Sequence, residues 1–223
     1  MIVKVCGLTR VVDIAPAIAA GATHLGMIFA PASPRIVSLE EATILRRVIP
    51  AGITPVGVFK DQSVEDVLQI AAQVGLIWVQ LHGGFEVEAI AALHAAGLKV
   101  IWAVPVAPNG HYDALPSDAD LLLFDTAARG QFGGTGASFA WDAAEAPAQP
   151  FLIAGGIRPT NAARATKAMP GSAGIDLSSG VEAAPGVKSH ALLRALGAAL
   201  HPIVRPVDLD AAAASSSSSE ASS

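Results

Sequence analysis

The chain is sparing with the residues that commit a protein to disulfide, metal or membrane chemistry. It has one cysteine, one tyrosine and three tryptophans in 223 residues, and only 15% of them are charged. A single cysteine excludes an internal disulfide and any Cys-rich metal site, which suits a reducing cytoplasm. No apolar run approaches the length of a membrane span, because Gly, Pro or charged residues interrupt every one. The N-terminal segment lacks a basic region followed by a long apolar stretch and a small-residue cleavage site, so no signal peptide is expected and a cytoplasmic location is. Basic residues never cluster beyond Arg46-Arg47, and the formal net charge is −5. Neither nucleic acid nor a membrane is therefore an expected partner. With a pI near 5.6, an anionic ligand would have to be held by local N–H groups and one or two cations rather than by a global field.

What the chain does have is apolar residues: 52% are hydrophobic and the mean hydropathy is +0.50. That suffices for one large core. The pattern alternates strand and helix. Strands are expected at Ile2–Cys6, His24–Phe29, Thr54–Phe59, Ile77–Leu81, Lys99–Val104, Leu121–Asp125, Phe151–Ala154 and Ala173–Leu177. Helices are expected at Val11–Ala20, from a cap at Ser38 to about Ile49, from a cap at Ser63 to about Val74, and at Glu86–Ala96, Asn161–Ala168 and Lys188–Leu200. Between the fifth and seventh strands the pattern thins to a helical turn around His111–Leu115 and a short helix near Trp141–Ala144. Eight near-continuous apolar strands separated by helices fit an α/β fold, a single (β/α)8 TIM barrel with helices 5 and 6 abbreviated. An open doubly wound sheet is the runner-up, but no Gly-x-Gly-x-x-Gly turn follows the first strand. The barrel is expected over residues 1–205. The Ala- and Ser-rich stretch 206–223 cannot bury a core and reads as a disordered tail.

In a barrel the chemistry sits at the C-terminal ends of the strands. The first strand runs into Lys4-Val5-Cys6-Gly7-Leu8-Thr9-Arg10. Alternation puts Ile2, Lys4 and Cys6 on one face, so the face with the thiol also carries a lysine, which points to a site rather than to packing. Leu121, Leu123 and Asp125 likewise share a face, and the carboxylate leans over the barrel mouth. Arg35 follows a loop stiffened by Pro31 and Pro34 and could clamp a carboxylate. Gln80 and His82 end the fourth strand, and His82 suits a positioning role. Gly155-Gly156 and Ser178-Ser179-Gly180 follow the seventh and eighth strands, where barrels often hold phosphate. Asp176 stands beside the second cluster. No His/Asp/Glu spacing suits a metal.

Read together, Lys4–Arg10, Gln80-Leu81-His82-Gly83, Phe124-Asp125, Gly133-Gly134-Thr135-Gly136 through Phe139 and Trp141, Ala154-Gly155-Gly156-Ile157 and Ile175–Glu182 resemble the phosphoribosylanthranilate isomerase family of tryptophan biosynthesis. The resemblance runs in order over residues 2–200. It implies a cofactor-free intramolecular oxidoreductase that converts N-(5-phosphoribosyl)anthranilate to 1-(2-carboxyphenylamino)-1-deoxyribulose 5-phosphate by an Amadori rearrangement. It makes Cys6 the general base and Asp125 the general acid. Arg35 would hold the anthranilate carboxylate, Gly155, Gly156, Ser178 and Ser179 the phosphate, and Asp176 the ribose hydroxyls. The partner implied is this small phosphosugar-anthranilate substrate, with the enzyme a monomer or homodimer. Helping Cys6 to ionise falls to Lys4, its neighbour on the same face. Two rival readings are the analogous aminoaldose isomerase of histidine biosynthesis, which would carry two similar phosphate-binding halves, and a non-catalytic phosphosugar-binding barrel.

Overall fold

Side-chain alternation along the first strand decides how the molecule is built. The computed structural model describes residues 1–126 and 140–201. In it β1 (Ile2–Cys6) sends Val3 and Val5 outward into the layer between sheet and helices, while Ile2, Lys4 and Cys6 face the barrel axis. The same split recurs in β6 (Leu121–Thr126), where Leu122 and Phe124 pack outward and Leu121 and Leu123 pack inward. The other strands are β2 (His24–Ile28), β3 (Thr54–Phe59), β4 (Trp78–Leu81), β5 (Lys99–Val106), β7 (Phe151–Ile153) and β8 (Gly174–Leu177). All neighbours are parallel, and β8 pairs with β1 to close the barrel. Closure leaves no open edge among these strands, and both faces of the sheet are covered, so the strands are apolar nearly throughout.

Six helices complete the described fold: α1 (Ile14–Ala19), α2 (Leu39–Val48), α3 (Val64–Val74), α4 (Ala89–Ala95), α5 (Ala162–Ala168) and α6 (His190–Leu200). The expected caps are present. Ser38 and Glu41 form a capping box at the start of α2, and the Ser63 side chain accepts from the Asp66 N–H ahead of α3. Each such cap contributes about 1 kcal/mol. The helix expected over Val11–Ala20 is divided: Val11–Asp13 forms a 3-10 turn and α1 begins at Ile14. Pro16 is tolerated there because a first-turn N–H has no helical partner to lose.

The weak region of the sequence departs further from helix than expected. Residues 107–120 contain no helix, not even the turn around His111–Leu115. Tyr112 instead lies on Phe124 with ring centroids 4.8 Å apart, covering the strand that a helix would have covered. Trp141–Ala144 is a turn rather than a short helix, yet Trp141 is buried and stacks beneath the Arg164 guanidinium of α5. A large aromatic can seal the outer layer without helical periodicity, since burying one contributes about 1.5–3 kcal/mol wherever its backbone runs. The Gly-rich loop at 129–136 and the tail at 206–223 lie outside the described residues.

One element was not expected at all. After the 3-10 turn Ser179–Val181, the chain makes a small antiparallel pair, β9 (Glu182–Ala184) and β10 (Val187–Lys188). Lys188 therefore belongs to a strand, not to the last helix, which starts at His190 under a Ser189 cap. Strands of three and two residues are too short to show alternation, so only the Pro185-Gly186 turn signal was available.

Candidate active site

The inward face of β1 meets the inward face of β8 in register, with Lys4 opposite Asp176. Their side chains form a buried ion pair, Lys4 Nζ to Asp176 Oδ1 at 3.0 Å. On the other side of β1, Cys6 stands opposite Gly26 of β2. A Cβ at Gly26 would lie 2.8 Å from Cys6 Sγ and 3.2 Å from Lys4 Nζ, so the thiol and the ammonium both occupy the space that glycine leaves. Strand pairing thus brings together three chemical groups from residues 4, 6 and 176.

Above this layer opens a cavity of about 600 Å³, counting the solvent space at its mouth. Nine of the residues singled out from the sequence line it, Cys6, Arg35, His82, Asp125, Gly155, Gly156, Asp176, Ser178 and Ser179, whereas Lys4 lies beneath it. Gln80 also reaches it, with apolar walls from Ile28, Val58 and Ile157. These residues come from the C-terminal ends of the strands and the loops that follow them, and alternation along β1 and β6 turns Cys6 and Asp125 toward the same cavity.

The electrostatics separate two groups by environment. Asp125 accepts a hydrogen bond from the Thr126 N–H at 2.8 Å, but burial dominates and pushes its carboxyl up to about 6. Such a carboxyl carries a proton often enough near neutrality to donate it. Cys6 is buried, and burial raises its thiol above the ordinary value. Lys4, and to a smaller degree Lys188, pull in the opposite direction, while Asp176 opposes them. Lys4 thus favours the thiolate, as expected, without overcoming burial. His82 is held neutral: burial first, then Lys4 and Lys60, lower it to about 4. Its Nε2 lies 3.7 Å from Asp125 Oδ2, beyond hydrogen-bond range, and its Nδ1 lies 3.3 Å from Gln80 Nε2. A ring so lowered is neutral near pH 7 and brings no positive charge to the cavity.

The phosphate candidates share one corner. Gly155 and Gly156 have φ of 80° and 64°, a left-handed backbone that strains any side-chain-bearing residue. The buried Ser178 hydroxyl has no hydrogen-bond partner among the described residues. An unpartnered buried hydroxyl on the same cavity as two glycines is a donor that an anion could satisfy.

Arg35 departs from the picture of a guanidinium waiting for substrate. It is buried and already holds Glu182, with Nε to both carboxylate oxygens at 3.0 and 3.1 Å and Nη2 to Oε2 at 2.8 Å. Glu182 in turn receives Lys188 Nζ at 2.8 Å. Lys188 also donates to the main-chain oxygens of Cys6 and Ser178. Sequence reasoning assigned no role to Glu182 or Lys188. Their only one-dimensional signal was charge on either side of a Pro-Gly turn, and nothing in spacing shows that the turn folds over Cys6.

Comparisons with known proteins identify the family. Residues 3–198 match the family model described as N-(5'-phosphoribosyl)anthranilate (PRA) isomerase. The chain is 38% identical over 196 residues to the N-(5'-phosphoribosyl)anthranilate isomerase of Rubrobacter xylanophilus, covering 86% of this chain and 95% of that protein. The crystal structure of phosphoribosyl anthranilate isomerase from Thermus thermophilus superposes with a TM-score of 0.77 at 34% identity, covering 91% of this chain and all (100%) of that one. A further structure of that isomerase, in complex with reduced 1-(o-carboxyphenylamino)-1-deoxyribulose 5-phosphate, superposes with a TM-score of 0.71 at 29% identity, covering 91% of this chain and 100% of the other. With a match that spans nearly the whole barrel, the chain belongs to the N-(5'-phosphoribosyl)anthranilate isomerase family.

Proposed function

We propose that this protein isomerises N-(5-phosphoribosyl)anthranilate to 1-(2-carboxyphenylamino)-1-deoxyribulose 5-phosphate in tryptophan biosynthesis, by general acid–base catalysis within residues 1–205. The observation that carries the mechanism is the pairing of groups on one cavity: a carboxyl raised to about 6 and a thiol flanked by an ammonium. Asp125 donates its proton to the furanose ring oxygen, the C1–O bond breaks, and the nitrogen lone pair forms the protonated Schiff base. That cation acidifies the sugar C2–H. The Cys6 thiolate takes the proton, and the electron pair moves into an enolamine. Proton return to C1 and loss of the C2 hydroxyl proton give the ketone, so no net proton is gained or lost.

Binding falls to the rest of the lining. Gly155, Gly156, Ser178 and Ser179 receive the phosphate, Arg35 the aryl carboxylate and Asp176 the ribose hydroxyls, with His82 positioning the substrate beside Asp125. The ligand of the complexed structural neighbour is the reduced form of the proposed product. Among the described residues no helix is long and apolar enough to cross a membrane. The test is turnover of phosphoribosylanthranilate, followed by its fluorescence, with wild type, Cys6→Ser and Asp125→Asn. Assayed at about pH 6, the wild type is expected to turn over and each variant to lose about 10²–10⁴-fold. Comparable rates in all three would end the acid–base assignment and favour a barrel that only binds phosphosugars.

A further inference from the structure

Resting on the reading of Arg35 as the carboxylate clamp, we propose that Glu182 is the positioning residue that sets this clamp, with Lys188 keeping the local charge positive. Side chains of Arg35 and Glu182 are 8% and 4% exposed, so their contact is desolvated and geometrically demanding. Glu182 takes the Nε/Nη2 edge of the guanidinium. The Nη1 end has no hydrogen-bond partner among the described residues, and Arg35 lines the cavity. A guanidinium has five donors in a fixed plane, so engaging one edge leaves the Nη1/Nη2 end for a second carboxylate and fixes its plane in advance.

A carboxylate on that arginine would by itself cancel the attraction for an anionic ligand. Lys188 removes this objection. Its ammonium reaches Glu182 Oε1 at 2.8 Å; burial lowers this lysine and Glu182 pulls it back up, and two cations around one carboxylate leave the trio with a net positive charge. The remaining Lys188 donors go to the carbonyls of Cys6 and Ser178. The loop after β8 is thereby tied to the end of β1, and Lys188 N–H is anchored on the buried Asp13 at 3.2 Å. The hairpin β9–β10 exists at the place where these two charges must turn back over the barrel mouth. Position 35 and position 182 come from opposite ends of the chain, and only the closed barrel places them side by side.

The test compares two ligands that differ by one carboxylate: reduced 1-(o-carboxyphenylamino)-1-deoxyribulose 5-phosphate and its counterpart with a plain phenyl ring. Binding is measured by calorimetry for wild type, Arg35→Met, Glu182→Gln and their double variant. Glu182→Gln is expected to weaken the carboxylated ligand about tenfold or more, the worth of a charge-assisted contact, and to leave the phenyl ligand nearly unchanged. The double variant should bind no worse than Arg35→Met alone. Glu182→Asp keeps the charge balance while withdrawing the carboxylate by one methylene. It guards against misfolding of the neutral variant and should show the same selective loss. Equal weakening of both ligands by the Glu182 variants, or no weakening, would overturn the proposal. A selective loss in Arg35→Met alone would overturn it while sparing the clamp. Equal loss of both ligands in Arg35→Met would overturn the clamp and the proposal together.

Discussion

Replacing Asp125 by asparagine should change the shape of the pH profile as well as its height. Burial raises this carboxyl to about 6, so in the free enzyme its protonated fraction falls about tenfold for each pH unit above that point. At pH 7 about one molecule in ten still holds the proton. Cys6 runs the other way. Its thiol is raised by burial, so the thiolate fraction grows with pH through the whole neutral range. The two dependences cancel in the wild type, whose kcat/KM should rise up to about pH 6 and then stay level until the thiol itself titrates. Asp125→Asn removes only the falling factor, so its residual kcat/KM should keep rising past pH 6. The clean quantity is the ratio of wild-type to variant kcat/KM, from which substrate ionisation and Cys6 both drop out. That ratio should be level, at about 10²–10⁴, below pH 6 and fall about tenfold per unit above it. Stopped-flow loss of substrate fluorescence between about pH 5 and 8 would measure it. A ratio that stays constant across this range would refute the general-acid role, whatever the size of the defect.

The other expectations concern the groups around the thiol. Lys4→Met should raise the Cys6 thiol further, visible in the ultraviolet absorbance of the thiolate during titration, and should cost about 3–5 kcal/mol of stability by stranding Asp176; an unchanged titration removes Lys4 from the mechanism. Gly26→Ala puts a methyl 2.8 Å from Cys6 Sγ and should lower kcat about tenfold or more with little change in ligand affinity. Unaltered kcat there would mean that the thiol position is not critical. Lys188→Met leaves Glu182 and two main-chain carbonyls without their ammonium, and chemical denaturation should register a loss of about 3–5 kcal/mol. A loss below about 1 kcal/mol would show the cluster to be solvated like a surface pair. Together with the Glu182 variants, these separate the acid, the base and the clamp.

Much of this architecture could be read along the chain because it is periodic. Alternation placed Cys6 with Lys4 and Asp125 with Leu121 and Leu123, and strand ends are where a parallel barrel opens. The caps at Ser38 and Ser63 are local hydrogen bonds within three residues, so their sequence carries them complete. The regions that went astray lack periodicity. Tyr112 and Trp141 cover the barrel from irregular backbone, and burial of an aromatic ring does not require a helix to deliver it. What the linear chain determined alone was therefore the order of the eight barrel strands and the face on which Lys4, Cys6 and Asp125 stand. Only the tertiary structure decided the partners. Closing β8 onto β1 set Asp176 against Lys4, and folding the hairpin back brought Glu182 to Arg35 and Lys188 to Cys6. Those pairs are separated by 172, 147 and 182 residues, and contacts that distant leave no spacing to read because they depend on where the barrel closes, not on what lies nearby in the chain.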